Sequence, residues 1–294
     1  MRLSHDGARV RVPATSANLG PGFDAFGLAL SLWDEVEVQA IAGGTQVEVE
    51  GEGQGKLPTG EEHLVIRVLR AALEYVDAPQ AGFLLRCRNR IPHGRGLGSS
   101  AAATVAGLLL ARGLISEPEA LNDETLLTLA TEFEGHPDNA APALFGGATV
   151  AYQDQGKPYA ARIPLEELEV TVVLPTQELA TSQSRGALPA QVPHHDAAFN
   201  AGRAGLLALA LSGQHDLLMA ATEDKIHQPY RTSVMPHTAV VIEKLREAGA
   251  PAVVSGAGPS ILILGEFSNQ LHGVIPDGWK YVKCGITPEG AHFA

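Results

Sequence analysis

Pro92-His93-Gly94-Arg95-Gly96-Leu97-Gly98-Ser99-Ser100-Ala101-Ala102 joins an alternating segment, residues 82–90, to an Ala-rich stretch, residues 99–112. The alternation predicts a strand, and the Ala-rich stretch predicts a helix stopped by Gly113. Three glycines at alternate positions permit dihedrals that a Cβ forbids and let the main chain come close to an anion. The serine pair falls where the helix begins, and unpaired N–H groups with the positive end of the helix dipole favour phosphate there. The stretch therefore reads as an anion cradle. Its bland alternative is a glycine-rich turn with serine caps. No lysine precedes the serines, so it is not the common triphosphate loop, and the setting of a dinucleotide fold is missing.

The surrounding chain is that of an ordered globular protein. It has 294 residues, 45% of them hydrophobic and 18% charged, enough apolar surface for a substantial core and too little charge for disorder. A formal net charge of -12 argues against a nucleic-acid surface, which needs clustered Lys and Arg. One basic cluster stands out, Arg86, Arg88, Arg90, His93 and Arg95, either a local anion site or the solvated face of a strand. Cys87 and Cys284 are too few for a disulfide scaffold and wrongly spaced for zinc, which fits a reducing cytoplasm. The charged first twelve residues do not resemble a signal peptide, and the apolar run at 108–111 is far short of the ~20 residues that span a bilayer. The expectation is a cytoplasmic protein with no membrane and no nucleic-acid partner.

Alternation at Val10 and Val12, Val36 and Val38, and Val47 and Val49 predicts strands. Helical spacing predicts a helix over 61–76 and another from Asn122 or Asp123 to the Gly135-His136-Pro137 stop. After a strand at 147–152, a second block carries strands near 169–174, 252–255, 261–264 and 281–284, with helices near 200–211, 216–223 and 238–248. Strands and helices without strict βαβ alternation favour an α+β class. The expected division is 1–160 and 161–294.

The helix ending at Gly135 carries Glu132 and Glu134 in its last turn and Asp138 just beyond, where negative charge opposes the helix dipole at about 0.3–1 kcal/mol per group. A bound cation reverses that penalty, and magnesium takes carboxylate, hydroxyl and phosphate oxygens. Simple surface acidity is the alternative.

Two further strings accompany the glycine loop: Pro13-Ala14-Thr15-Ser16-Ala17-Asn18-Leu19-Gly20-Pro21-Gly22-Phe23-Asp24 and Ser255-Gly256-Ala257-Gly258-Pro259-Ser260. With these three motifs the chain resembles the GHMP kinases from end to end. The resemblance implies a two-domain fold, an N-terminal α/β domain carrying the ATP loop and a C-terminal ferredoxin-like α+β domain. It implies ATP and Mg2+ as cofactors, residues 92–102 around the ATP phosphates, and Ser100 with Glu134 on the metal, Glu132 being the fallback.

Within that superfamily, residues 14–24 and the string Glu134-Gly135-His136-Pro137-Asp138-Asn139-Ala140-Ala141-Pro142 resemble the homoserine kinase branch. Neither the Gly-Glu-His segment of a galactokinase nor the lysine-bearing start of a mevalonate kinase is present. The resemblance thus implies transfer of the ATP γ-phosphate to L-homoserine, a step of threonine biosynthesis. A zwitterion needs a carboxylate for its ammonium and a guanidinium for its carboxylate. Asp24 and Asp138 are the candidates for the first, and Arg185 and Arg231 for the second. Asn18 and His136 would orient the hydroxyl, and Thr181 and Gly256 would complete the site. Catalytic candidates are Asp24, Ser100, Glu134 and Asp138, with no commitment to a general base. A kinase of another small alcohol and a non-catalytic ligand sensor are the rival readings. The resemblance also suggests a homodimer, for which the sequence offers no patch.

Overall fold

A computed structural model describes residues 1–294. The N-terminal motif is built into two long antiparallel strands, β1 (Gly7–Asn18) and β2 (Gly22–Ile41), paired with Val10 opposite Val36 and Ala14 opposite Leu30. The alternating valines point one way and form the core, while Arg9 and Arg11 on the other face meet Glu35. β3 (Gln46–Gly51) runs parallel to β4 (Gly82–Asn89), and α1 (Leu64–Tyr75) makes the crossover between them. The glycine loop leads from β4 into α2 (Ser99–Leu114), which is followed by α3 (Asp123–Glu134), α4 (Ala140–Phe145), β5 (Ala148–Asp154) and β6 (Lys157–Ile163).

The rest of the chain forms a second sheet from β7 (Val170–Leu174) onward. Five helices come next: α5 (Thr181–Gly186), α6 (His194–Leu211), α7 (Leu218–Ala221), α8 (Gln228–Arg231) and α9 (Pro236–Glu247). They are followed by β8 (Ala252–Val254), β9 (Ile261–Leu264), α10 (Asn269–His272) and β10 (Lys280–Cys284). The order across this antiparallel sheet, β10-β7-β9-β8, is the fourth-first-third-second pattern of a ferredoxin-like unit. The last strand, β11 (His292–Phe293), returns to the first sheet and pairs with β1. The first sheet thus runs β11-β1-β2-β4-β3, with β5 and β6 attached beside β2. Residue 160 lies inside β6, and the returning tail crosses the expected division again.

The two halves share a core. One apolar cluster of 54 buried residues runs from Val10 and Leu85 through Leu108 of α2 to Val172 of β7 and Leu211 of α6, so the cleft between the sheets is floored by continuous packing. A smaller cluster of nine, including Leu245 and Ile263, fixes α9 on the second sheet.

Most expected elements are present, with one correction. α2 does not stop at Gly113 but runs to Leu114; Gly113 is there because a Cβ would strike the Phe293 ring and Ala8. For two members of the basic cluster the solvated-face alternative holds: Arg86 pairs with Glu48 and Glu37, and Arg88 with Glu35 and Glu50, on the exposed face of β4. No helix is long and apolar enough to cross a membrane.

Glycine inside a helix costs about 1 kcal/mol against alanine, yet Gly107 sits in mid-α2. Its Cβ would lie 2.7 Å from the Val65 carbonyl and 2.9 Å from the Val68 Cβ, so its absence sets the spacing of α1 and α2. Gly107→Val is expected to destabilise the fold by about 1–3 kcal/mol, read as a lower denaturant midpoint at unchanged slope; an unchanged midpoint would remove this close approach from the account.

Candidate active site

Gly94, Gly96 and Gly98 have φ of 63°, 71° and 66°, the left-handed region that a side chain strains. Gly96 and Gly98 are also hemmed in. A Cβ on Gly96 would run into the main chain at Ser255 and Gly258, and one on Gly98 into the side chains of Thr15 and Asn139. Thr15 N donates to Leu97 O at 3.1 Å, Ser255 Oγ donates to Gly96 O at 2.6 Å, and Gly256 N donates to Ala17 O at 3.0 Å. The three sequence motifs are therefore clasped together by main-chain contacts across both halves of the molecule.

The first helical bond of α2 is Ala102 N to Gly98 O, so the amides of Ser99, Ser100 and Ala101 have no main-chain acceptor. They open on a cavity of about 250 Å³ lined on this side by Gly94, Gly96, Leu97 and Gly98. Neutral donors at a helix start beside a narrow polar cleft suit a phosphate.

Across this opening α3 ends at Glu134, stopped by Gly135 in the left-handed region. Ser100 Oγ donates to Glu134 Oε1 at 2.8 Å, and Thr104 Oγ1, one turn further along α2, donates to the same oxygen at 2.9 Å. Glu132 is exposed and has no part in this contact. Two hydroxyls and a carboxylate beside the phosphate amides form an all-oxygen donor set that fits magnesium, which keeps waters and phosphate as its other ligands.

The opposite wall carries the charged groups. Asn18 and Asp24 lie in a turn of left-handed backbone, φ 70° and 54°, held because Asn18 Nδ2 donates to Gly256 O (2.8 Å) and Asn18 Oδ1 accepts from Asp24 N (3.0 Å). Asp24, His136 and Asp138 bring their ligand atoms within 4.8 Å of one another. Asp138 is buried and lies 2.5 Å from His136 Nδ1. Burial disfavours protonating His136, but the hydrogen bond and charge of Asp138 outweigh it and hold its pKa above the ordinary histidine range. Arg185 forks onto Asp24, with Nη2 to Oδ1 at 2.6 Å and Nη1 to Oδ2 at 3.2 Å. Arg231 is buried, donates to Gly256 O at 2.9 Å, and has no partner for Nε. Burial, and then the charge of Arg185, bring its pKa down to about 10. Both guanidiniums face the Phe23 ring, at 5.6 and 5.8 Å from its centre.

A second cavity of about 270 Å³ adjoins the first and shares Ser99 and Ser100 with it. Its walls are mainly apolar in area, Val36, Leu57, Leu64, Val65 and Ala102 among them, with Asp34, Glu62, His63, Asn89 and His93 as polar groups besides the two shared serines. Asp34 Oδ1 accepts from the amides of Arg90 (2.6 Å) and Ile91 (2.9 Å), fixing the end of β4 ahead of the glycine loop.

Comparison with known proteins agrees with this geometry. Residues 63–147 match the GHMP kinases N terminal domain, and residues 197–270 match GHMP kinases C terminal. The chain is 47% identical over 287 residues to the homoserine kinase of Streptomyces coelicolor, covering 96% of this chain and 93% of that one. It is 50% identical over 260 residues to that of Mycolicibacterium paratuberculosis, covering 86% and 82%. The crystal structure of homoserine kinase from Cytophaga hutchinsonii superposes with a TM-score of 0.84 at 28% identity, covering 99% of this chain and 98% of that one. The chain belongs to the homoserine kinase family of the GHMP kinases.

For this GHMP kinase the expected residues sort as follows. Asn18, Ser100, Glu134, His136, Asp138, Thr181, Arg185, Arg231 and Gly256 line one cavity, and Asp24 meets it through Arg185. Of the loop, residues 94 and 96–101 line that cavity, while His93 and Ala102 face the second one. Pro92 and Arg95 line neither; Arg95 donates instead to the Pro175 and Thr176 carbonyls and ties the loop to the other half. Arg185 is joined to Asp24, where a partner at each end of a zwitterion was expected. Sequence reading missed Thr15, Thr104, Asn139 and Phe23; Thr104 was findable, being four residues from Ser100 on one helix face.

Glu134→Ala is expected to raise the magnesium concentration for half-maximal activity by about 10- to 100-fold; an unchanged requirement would remove Glu134 from the metal site. Asp34, pushed up to about 6 by burial against the help of two amides, has a folded pKa above the unfolded value of about 3.9. The folded state binds this proton more tightly, so the contribution is complete below about pH 4 and is lost as pH rises through about 6. Denaturation from pH 4 to 8 should show Asp34→Asn, whose Oδ1 can keep both amides, gaining roughly 3 kcal/mol on the wild type; parallel curves would contradict this.

Proposed function

We propose that this enzyme transfers the γ-phosphoryl group of ATP to the hydroxyl of L-homoserine, giving O-phospho-L-homoserine and ADP. The observation that carries the reading is the single cavity in which the amide cradle of α2 faces two guanidiniums and two carboxylates. A triphosphate on the free amides of Ser99 to Ala101 sets its base in the apolar second cavity and its terminal phosphate toward His136 and Asp138. Magnesium, held by Ser100 and Glu134 with Thr104 steadying the carboxylate, neutralises phosphate charge when bound.

The acceptor end requires a zwitterion. Asp24 and Arg185 are each other's partner, and a ligand with both charges offers each a new one, exchanging one ion pair for two. Arg231 stays fixed on Gly256 through Nη1, faces Phe23, and lines the cavity that a carboxylate would enter. The side chain of the amino acid then lies toward the phosphate cradle. Phosphoryl transfer through a loose transition state depends on such positioning and on charge neutralisation, so no strong base is asked of the site. Asn18 and Asn139 supply fixed amides around the cluster.

The same reading makes this a cytoplasmic enzyme of diffusing metabolites, without nucleic-acid or membrane partners, and with a second copy of itself as the partner to seek by sedimentation. ADP release with ATP and magnesium is expected for L-homoserine and not for mevalonate or galactose. 4-Hydroxybutanoate and 3-aminopropan-1-ol, each lacking one charge, should each fall by at least about 100-fold in kcat/KM. Equal turnover of either analogue would refute the two-charge requirement, and no ADP with any acceptor would leave a ligand sensor.

A further inference from the structure

His227 is fully buried, and both of its ring nitrogens are engaged. Arginine can only donate, so the 3.2 Å contact from Arg231 Nη1 makes His227 Nδ1 the acceptor and puts the ring proton on Nε2. Nε2 then donates to Gly20 O at 2.6 Å, with the Asp224 carboxylate a longer neighbour at 3.4 Å. Burial keeps the ring neutral by lowering its pKa, against the pull of Asp224. That carboxylate is occupied elsewhere: its oxygens accept from the amides of Ile226, His227 and Gln228 and from Asn200 Nδ2, which fixes the start of α8. The imidazole also stacks on Phe23, 5.3 Å between centres, the ring that both guanidiniums approach.

Arg231 has two polar partners, both on Nη1: the Gly256 carbonyl and His227. One hydrogen to each commits Nη1 in full, and Nε is buried, which leaves Nη2 for a ligand entering the cavity that Arg231 lines. We propose that His227 is a positioning residue for the acceptor: as an uncharged hydrogen-bond acceptor it fixes the plane of the Arg231 guanidinium without cancelling its charge, which stays available to the carboxylate of an amino-acid substrate. A carboxylate in the place of His227 would hold the arginine equally well and neutralise it. A ring held at both nitrogens also couples Arg231, through Gly20, to the turn that carries Asp24, so the two charged ends of the site share one support. This deepens the proposed reaction and rests on it.

The test separates the two nitrogens. In His227→Asn, Oδ1 takes the place of Nδ1 and can accept from Arg231, but the donor to Gly20 is lost; in His227→Gln, the amide nitrogen takes the place of Nε2 and can donate to Gly20, but Arg231 loses its acceptor. Steady-state kinetics with ATP and magnesium are measured on L-homoserine, 4-hydroxybutanoate and 3-aminopropan-1-ol. We expect His227→Gln to raise the KM for homoserine about tenfold, the loss of about one hydrogen bond, with kcat within about threefold and the KM for ATP within about twofold. His227→Asn should stay within about threefold of the wild type. In His227→Gln, 4-hydroxybutanoate, which keeps the carboxylate, should lose about as much in kcat/KM as homoserine, whereas 3-aminopropan-1-ol, which lacks it, should be turned over as well as by the wild type. A loss in His227→Asn as large as that in His227→Gln, or an equal loss for both analogues, would overturn the proposal and make His227 a support of the 18–24 turn. Failure of the reaction itself is read in the wild type alone: no ADP with homoserine would sink the proposed function and remove the carboxylate on which this inference rests.

Discussion

Everything in the cleft depends on how closely the main chain of the glycine loop meets the turn at 255–258. Gly96 touches the backbone of Ser255 and Gly258 with no room for a Cβ, and the Ser255 hydroxyl closes the contact at 2.6 Å. This seam joins the ferredoxin-like half to the loop that begins α2. It fixes the distance between the phosphate amides, which belong to the first half, and Arg185 and Arg231, which belong to the second. A wider seam would leave both sets intact and separate them, and a positioning catalyst tolerates little of that. Arg95, bound to the carbonyls of Pro175 and Thr176, braces the same joint from outside.

Charge is arranged around the seam with equal economy. Glu134 stands at the wrong end of a helix for stability, and two hydroxyls on one face of α2 hold it there. Two guanidiniums approach the Phe23 ring, and their mutual repulsion is offset by Asp24 forked onto one of them and by a backbone carbonyl bound to the other. Like charges brought this close are costly unless such partners offset them, and the Asp24–Arg185 pair that does so is only partly buried. The left-handed backbone at Asn18 and Asp24 belongs to the same account, because strain of that kind gathers where side chains must be held in an uncommon direction.

The sequence told much of this in advance, and for a physical reason. Main chain that must bend unusually declares itself as glycine, so the left-handed loop at 94–98 was legible without a structure. The same holds for Glu134, whose position against the helix dipole was itself the signal. What could not be read was pairing across distance. Nothing local to Asp24 names Arg185, 161 residues away, as its partner, and the swap from two ligand contacts to one internal ion pair is a product of tertiary placement. Thr15 and Asn139, whose side chains bond at 2.8 Å against Gly98, were hidden for the same reason. The strand at His292–Phe293 was missed because two residues carry no periodicity. Gly113 was misread as a stop because a helix end and a packing contact both ask for a missing side chain.

That short returning strand bears on how the molecule comes into being. The first sheet has its outermost strand only after residues 292 and 293 have left the ribosome, long after the phosphate loop and α2 have been made. The sheet of the first half is therefore completed only by residues that follow the whole of the second half. Until residues 292 and 293 are made, β1 lacks this neighbour and the nascent chain carries unpaired backbone groups, a stage at which chaperone binding has something to hold.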